Sequence, residues 1–247
     1  MSEIAIRERL VKHGKRSLHS SKRTHEYTGD DAADRLLNDL NKHPHAFVLA
    51  CTMGQMIKAE RAWAIPYKIS EKIGGFSMSK LARLSERQLT KLLSGTGVRF
   101  TKKMAGVFYS AVRRINTQYK GNASQIWKGA SSSAEVVYRF LEFDGVGQKI
   151  ATMAVNLLAR NHKIRFADYY SVDISVDRQV RRVFRRLGLC EPKATDNQII
   201  YKARTIYPNF PGIIDLPCWE IGRQWCSIRA PKCRQCYMND LCPSAKV

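Results

Sequence analysis

Residues 141–151 read Leu-Glu-Phe-Asp-Gly-Val-Gly-Gln-Lys-Ile-Ala, and the rest of the chain is organised around them. Upstream, apolar residues from Ala134 to Leu141 recur at helical spacing; downstream, a second helical pattern runs from Gln148 to Arg160. Between them Gly145-Val146-Gly147 lets the backbone turn tightly and leaves amides free at a helix N-terminus, where the peptide dipoles favour an anion. A DNA phosphate fits such a turn, and a plain helix connector has the same residues. Lys149 falls in the first turn of the second helix, where the dipole disfavours an ammonium. It is a candidate amine nucleophile, against the alternative of one more solvated lysine in a basic chain.

Further on, Ser175-Val176-Asp177-Arg178-Gln179-Val180-Arg181-Arg182-Val183-Phe184 continues to Leu187 with apolar residues on one helical face and arginines on the other. Asp177 stands where this helix begins, an N-cap position whose side chain accepts a backbone N–H. A cap and a catalytic carboxylate can coexist in one residue, and Asp173 is the nearby competitor.

Near the C-terminus four cysteines fall at Cys226-x6-Cys233-x2-Cys236-x5-Cys242. Four thiolates at this reach can enclose one metal centre, either a tetrahedral zinc or a [4Fe–4S] cube. Zinc ribbons usually pair two Cys-x2-Cys knuckles, whereas here a single knuckle is flanked by longer arms, which suit a larger cluster. The spacing alone leaves both open. Cys51, Cys190 and Cys218 are scattered.

The remaining pattern is helical. Ser85-Glu86-Arg87-Gln88 has the form of a capping box, opening a helix that stops at Ser94-Gly95-Thr96-Gly97. Further helices are predicted at 102–118, 196–206 and 213–226, and apolar spacing from Asp30 onward predicts more before residue 56. No stretch alternates like a strand, so the fold class is all-α. Residues 1–28 are basic and polar with little periodicity and read as a flexible arm.

The 247 residues carry 42 Lys+Arg against 21 Asp+Glu, a net charge of 42 − 21 = +21, on a chain that is 44% apolar. That apolar fraction supports an ordinary core and excludes general disorder. The surplus charge points to a polyanionic partner, nucleic acid first and an anionic membrane surface second. The longest apolar runs, Ala46–Gly54 and Ala151–Ala159, are about half the ~20 residues needed to span a bilayer. The mixed charges near the N-terminus do not form a secretory signal, so an intracellular protein is expected.

These features in this order resemble the endonuclease III family of helix-hairpin-helix DNA glycosylases. The family's Leu-Pro-Gly-Val-Gly-x-Lys-Thr-Ala corresponds to Phe143–Ala151, its Val-Asp-x-x-Val/Ile-x-Arg-Val to Val176–Val183, and its cysteine spacing to Cys226–Cys242. Asp173 lacks the Arg-Val that should follow it. The resemblance implies a two-lobed all-α fold. A six-helix barrel (46–160) would end in the hairpin, and a cluster-containing helical lobe would combine 29–45 with 161–247. The substrate groove would lie between the lobes, with Lys149 and Asp177 facing each other. A [4Fe–4S] cluster on Cys226, Cys233, Cys236 and Cys242 is implied, as are DNA contacts from Gln55, Gly145, Val146, Gly147, Arg229 and Lys232. The implied partner is double-stranded DNA containing a damaged or mismatched base, bound by a monomer in the cytoplasm or nucleoid, with no membrane.

The implied activity is base excision with AP lyase cleavage through a Lys149 Schiff base. A monofunctional glycosylase for mismatched uracil or thymine, or for a modified base, and a non-catalytic DNA-binding module with a zinc-loaded loop are the alternatives. Three departures from the family pattern stand out. Asp144 replaces proline, Arg178-Gln179 replaces Thr-His, and Thr52-Met53-Gly54-Gln55-Met56-Ile57 replaces Ser-Ala-Gln-Ala-Thr-Asp, keeping only the glutamine that fills the gap left by an extruded base.

Overall fold

The computed structural model describes residues 3–21, 24–55 and 57–245. It contains thirteen α-helices among these residues and no strand. They are α1 Glu3–Leu18, α2 Asp31–Asn38, α3 Pro44–Thr52, α4 Ala59–Trp63, α5 Ile65–Ile73, α6 Met78–Ala82 and α7 Glu86–Leu93, then α8 Thr101–Gln118, α9 Ser133–Leu141, α10 Gln148–Arg160, α11 Arg178–Arg186, α12 Asp196–Ile206 and α13 Asp215–Gln224. No helix among the described residues is long and apolar enough to cross a membrane.

The chain divides into two compact units. An internal unit comprises Lys22–Ser131 and Tyr138–Ala154; a terminal unit comprises Met1–Ser21, Ser132–Val137 and Val155–Val247. In the internal unit α3 is the central element, with every residue from Pro44 to Thr52 buried. It packs against α2, α4, α5 and α8. Phe47 on α3 meets Trp63 and Trp127 with ring centroids 5.8 and 6.5 Å apart. The predicted Ser85–Gln88 capping box is present at the start of α7. Helices 102–118, 134–141, 148–160 and 196–206 of the sequence reading match α8, α9, α10 and α12 to within one residue at each end.

Two boundaries differ from the sequence reading. The expected arm at 1–28 contains α1, sixteen residues long. Ile6, Leu10 and Gly14, spaced four apart, form its buried stripe. Gly14 packs so closely on the backbone of Ile213 that a Cβ there would collide with the Ile213 carbonyl. Arg9 forms a two-pronged ion pair with Asp240, and His13 stacks on Tyr237 at 4.7 Å. Residues 29–45, expected to join the C-terminal segment, belong to the internal unit instead. The reason is the apolar face of α2, where Ala33 and Leu37 are fully buried against α3 and α5.

In the terminal unit α11 and α13 pack along each other, and α1, α12 and α13 surround the short 3-10 turn Pro211–Ile214. An extended stretch, Val172–Val176, runs buried into the start of α11.

His45 on α3 is 5% exposed, stacks on Phe76 at 5.1 Å, and has a buried Nε2 with no hydrogen-bond partner. Burial, aided by nearby His43, pushes its pKa from 6.5 down to about 4. The unfolded chain protonates His45 below pH 6.5 while the folded form resists down to about 4, so the neutral imidazole's contribution is full above that window and lost as pH falls through it. Urea unfolding should show wild type losing about 2 kcal/mol relative to His45→Leu between about pH 7 and about pH 5.

Candidate functional site

The hairpin lies between α9 and α10, and side chains of α8 hold it. Phe143 is buried and stacks on Tyr119 at 6.4 Å, with the Arg114 guanidinium 5.7 Å from its ring centre. Asp144, in place of the family's proline, accepts a hydrogen bond from the Ser110 hydroxyl at 2.5 Å. The substitution thus tethers the turn sideways to α8. Gly145 adopts φ 75°, which costs a side-chain-bearing residue strain, and a Cβ there would run into the Gln55 amide. Gln55 therefore sits on the hairpin, and its Nε2 donates to the Thr52 carbonyl at 3.2 Å. Met56, beside it in the sequence motif, lies outside the described residues.

Among the expected hairpin contacts, Val146 needs correction. Its N–H donates to the Phe143 carbonyl at 3.0 Å and its side chain is buried, so it plugs the turn and offers no free amide to a phosphate. Gly145 and Gly147 are exposed, and the first amides of α10 have no intrahelical acceptor. Lys149 is exposed on that first turn.

Asp177 and Asp173 have different surroundings. The Asp177 Oδ1 accepts the N–H groups of Gln179 at 2.7 Å and Val180 at 2.8 Å, which makes it the N-cap of α11, and its side chain is half-buried. Asp173 is buried in a two-pronged pair with Arg204, both bonds 2.8 Å. Its backbone carbonyl also accepts from the Asn156 amide at 2.8 Å. Asp173 is committed to holding the extended stretch, which leaves Asp177 as the accessible carboxylate of the two.

Cys226, Cys233, Cys236 and Cys242 line one apolar pocket together with Val183, Leu187, Ile221 and Met238. Burial pushes the Cys236 and Cys242 thiols up, and the neighbouring cysteines add to the shift. Four thiols gathered in an apolar pocket and opposing one another's ionisation are a donor set that a positively charged centre would relieve.

What holds the loop leaves no mark in the sequence. The arginines of α11 look like a solvated face, yet the Arg182 guanidinium donates to the Cys226 carbonyl and, at 2.8 Å, to the Gly222 carbonyl. Arg186 donates to the Cys226 sulfur at 3.3 Å and the Ser227 carbonyl at 2.7 Å. The spacing of the arginines carries no signal that separates these two from their exposed neighbours. Arg229 and Lys232 are set on the loop itself, both exposed. Phe100, just before α8, is 57% exposed and held at φ 55°.

Residues 49–209 match a family described as HhH-GPD superfamily base excision DNA repair protein. That stretch takes in Gln55, the hairpin, Lys149 and Asp177. A protein named endonuclease III from Synechocystis sp. (strain ATCC 27184 / PCC 6803 / Kazusa) is 28% identical over 174 residues, which are 67% of this chain and 66% of that relative. The chain thus spans just under two-thirds of the relative's length. Among solved structures, a trapped endonuclease III–DNA covalent intermediate aligns over 99% of this chain and 97% of its own, with a TM-score of 0.65 and 17% identity. A thermostable thymine-DNA glycosylase aligns over 97% and 96%, with a TM-score of 0.66 and 15% identity. At these identities the shared property is the fold.

The two hairpin glycines should respond differently to substitution. Gly145→Ala should cost about 1–2 kcal/mol in urea unfolding, from the left-handed backbone and the displaced Gln55. Gly147→Ala, with nothing within 4 Å of its Cβ and no positive φ, should change stability by about 0.5 kcal/mol or less.

Proposed function

Because the chain belongs to the HhH-GPD superfamily of base excision DNA repair proteins, we propose that it is a DNA N-glycosylase. In this reading it extrudes a damaged or mismatched base from duplex DNA, cleaves the base from its sugar, and nicks the strand as an AP lyase. The observation that carries it is the pair of side chains inside the family-matched stretch: an exposed Lys149 on the first turn of α10, and Asp177 with Oδ1 fixed by two backbone amides. A cap of this kind orients a carboxylate without neutralising it.

Extrusion costs a few kcal/mol, because a base inside the duplex must be unstacked and unpaired. Exposed Gly145 and Gly147, with the first amides of α10, hold a backbone phosphate. Gln55, seated on the hairpin, occupies the space the base vacates, and the exposed ring of Phe100 is placed to wedge against neighbouring bases. The Lys149 amine attacks C1′ as the bond from C1′ to the base breaks, and the base leaves with the bonding electrons and takes up a proton. Asp177 stabilises the positive character that builds on the sugar and accepts the proton shed by the amine. Opening of the sugar gives a Schiff base; loss of a C2′ proton then expels the 3′ phosphate.

Cys226, Cys233, Cys236 and Cys242 are the residues that would hold a [4Fe–4S] cluster, which supplies cross-linking to the loop bearing Arg229 and Lys232. Those two side chains add contacts to DNA phosphates without reading sequence.

Borohydride should trap a covalent complex between wild-type protein and DNA bearing an abasic site. Lys149→Gln should abolish trapping with DNA affinity nearly intact. Asp177→Asn keeps an acceptor oxygen for the cap, so stability should change by about 1 kcal/mol or less, while base excision falls about a hundredfold or more. Normal strand cleavage by Lys149→Gln would move the nucleophile to another amine; base excision by wild type with no trapping and no strand cleavage would leave a monofunctional enzyme as the reading, and no excision from any lesion duplex would leave a binder. Independently, purified protein should be yellow-brown with about four iron atoms per chain, and colourless protein with stoichiometric zinc would contradict the cluster.

A further inference from the structure

Asp215 opens α13, is 8% exposed, and accepts the backbone N–H of Ser175 through Oδ1 at 2.6 Å. Ser175 lies in the buried extended stretch, two residues before Asp177, so this bond fixes the chain just where it turns into α11. The start of α11 also lies against α13, about two turns along that helix from Asp215. A Cβ on Gly222 of α13 would stand 2.5 Å from the Cβ of Gln179, whose own N–H is capped by Asp177.

We infer that Asp215 is a positioning residue for Asp177: it holds the capped carboxylate in place through Ser175 and, when ionised, adds a second negative charge to the field at the reacting sugar. The inference rests on the reading of Asp177 as the carboxylate of a glycosylase.

The charged and titratable groups around Asp215 come from several elements of the same unit. Arg160 of α10 favours its ionised form, while Asp177 opposes it. The Cys218 thiol lies one turn along α13, itself pushed up by burial and by the two carboxylates. His13 of α1 is paired with Glu220 farther along α13, and Asp173 is paired with Arg204. Burial is the dominant influence and pushes the Asp215 carboxyl from 3.8 up to about 6. Asp215 is thus neutral below that value and negative above it, and because electrostatic coupling is mutual, its charge acts on Asp177 as that of Asp177 acts on it. A negative charge favours a sugar that becomes cationic, so the chemical step should quicken as Asp215 ionises.

The test compares wild type, Asp215→Asn and Asp215→Ala at about pH 5 to 8, using single-turnover base excision on the lesion duplex that wild type processes. In parallel, the amide resonances of Ser175, Gln179 and Val180 are titrated in the free protein. Wild-type excision should rise about tenfold through a midpoint near pH 6, the value for Asp215. Asp215→Asn keeps the acceptor for Ser175 but not the charge; it should stay at the low plateau and lose that step. Asp215→Ala should be slower by about 10- to 100-fold at every pH with DNA affinity changed about twofold or less. All three amides should titrate together in wild type, and none of them near that midpoint in Asp215→Asn. Coincident pH profiles for wild type and Asp215→Asn, or flat Gln179 and Val180 amides beside a titrating Ser175, would overturn the inference. No excision from any duplex of a lesion panel would instead overturn the glycosylase reading, and the amide titration would still decide whether Asp215 and Asp177 are coupled.

Discussion

Extended chain crossing a helical core has no sheet ladder to satisfy its backbone, yet each buried N–H and C=O needs a partner. Three such groups of Val172–Val176 are taken up by side chains and one turn from elsewhere in the unit. Gly212 donates to the Val172 carbonyl at 2.6 Å, the Asn156 amide to the Asp173 carbonyl, and the Ser175 N–H is taken by Asp215. Arg204 neutralises the one carboxylate buried within the stretch. Everything downstream inherits that fixation: the stretch delivers Asp177 to its cap, α11 starts at a defined residue, and Arg182 and Arg186 farther along α11 reach the cysteine loop. Unpairing any one of these buried groups would cost about 1–3 kcal/mol, at least as much as the cap itself contributes.

Charge is handled differently around the hairpin and around Asp177. The molecule as a whole is strongly basic, but the hairpin includes an acid, Asp144, which the Ser110 hydroxyl holds against α8. A carboxylate held sideways is drawn away from the exposed Gly145 and Gly147 and from the first amides of α10. Around Asp177 the acids are instead held by backbone amides: Asp177 caps α11, and buried Asp215 accepts the Ser175 N–H.

Local signals make much of this legible from the residues alone. Capping residues and helical periodicity locate α7, α8, α10 and α12 closely, because those signals act over a few residues and owe little to tertiary context. The order of hairpin, Val176-Asp177 and cysteine loop identifies the family. α1 stays hidden because its stripe consists of only Ile6, Leu10 and a glycine, among charged residues that dominate its composition. The placement of α2 depends on what its alanine- and leucine-bearing turns bury against, which is a property of the partner surface. Asp215 is likewise invisible: an acid at a helix start is an ordinary cap signal, and nothing local marks the Ser175 amide as its partner. Val146 escapes for a related reason, since a residue type cannot say whether its amide is spent within the turn.

The stacking of His13 on Tyr237 and the pairing of Arg9 with Asp240 tie α1 to residues near the other end of the chain. On a ribosome, which releases the chain from its N-terminus, the internal unit has all its residues once Ala154 has emerged. The partners of the α1 stripe, the Pro211–Ile214 turn and α13, follow only later, and Asp240 later still. For that interval α1, already synthesised, must wait with its apolar stripe uncovered, so the order of synthesis, and not the strength of any contact, decides which part of the protein is exposed to misassembly longest.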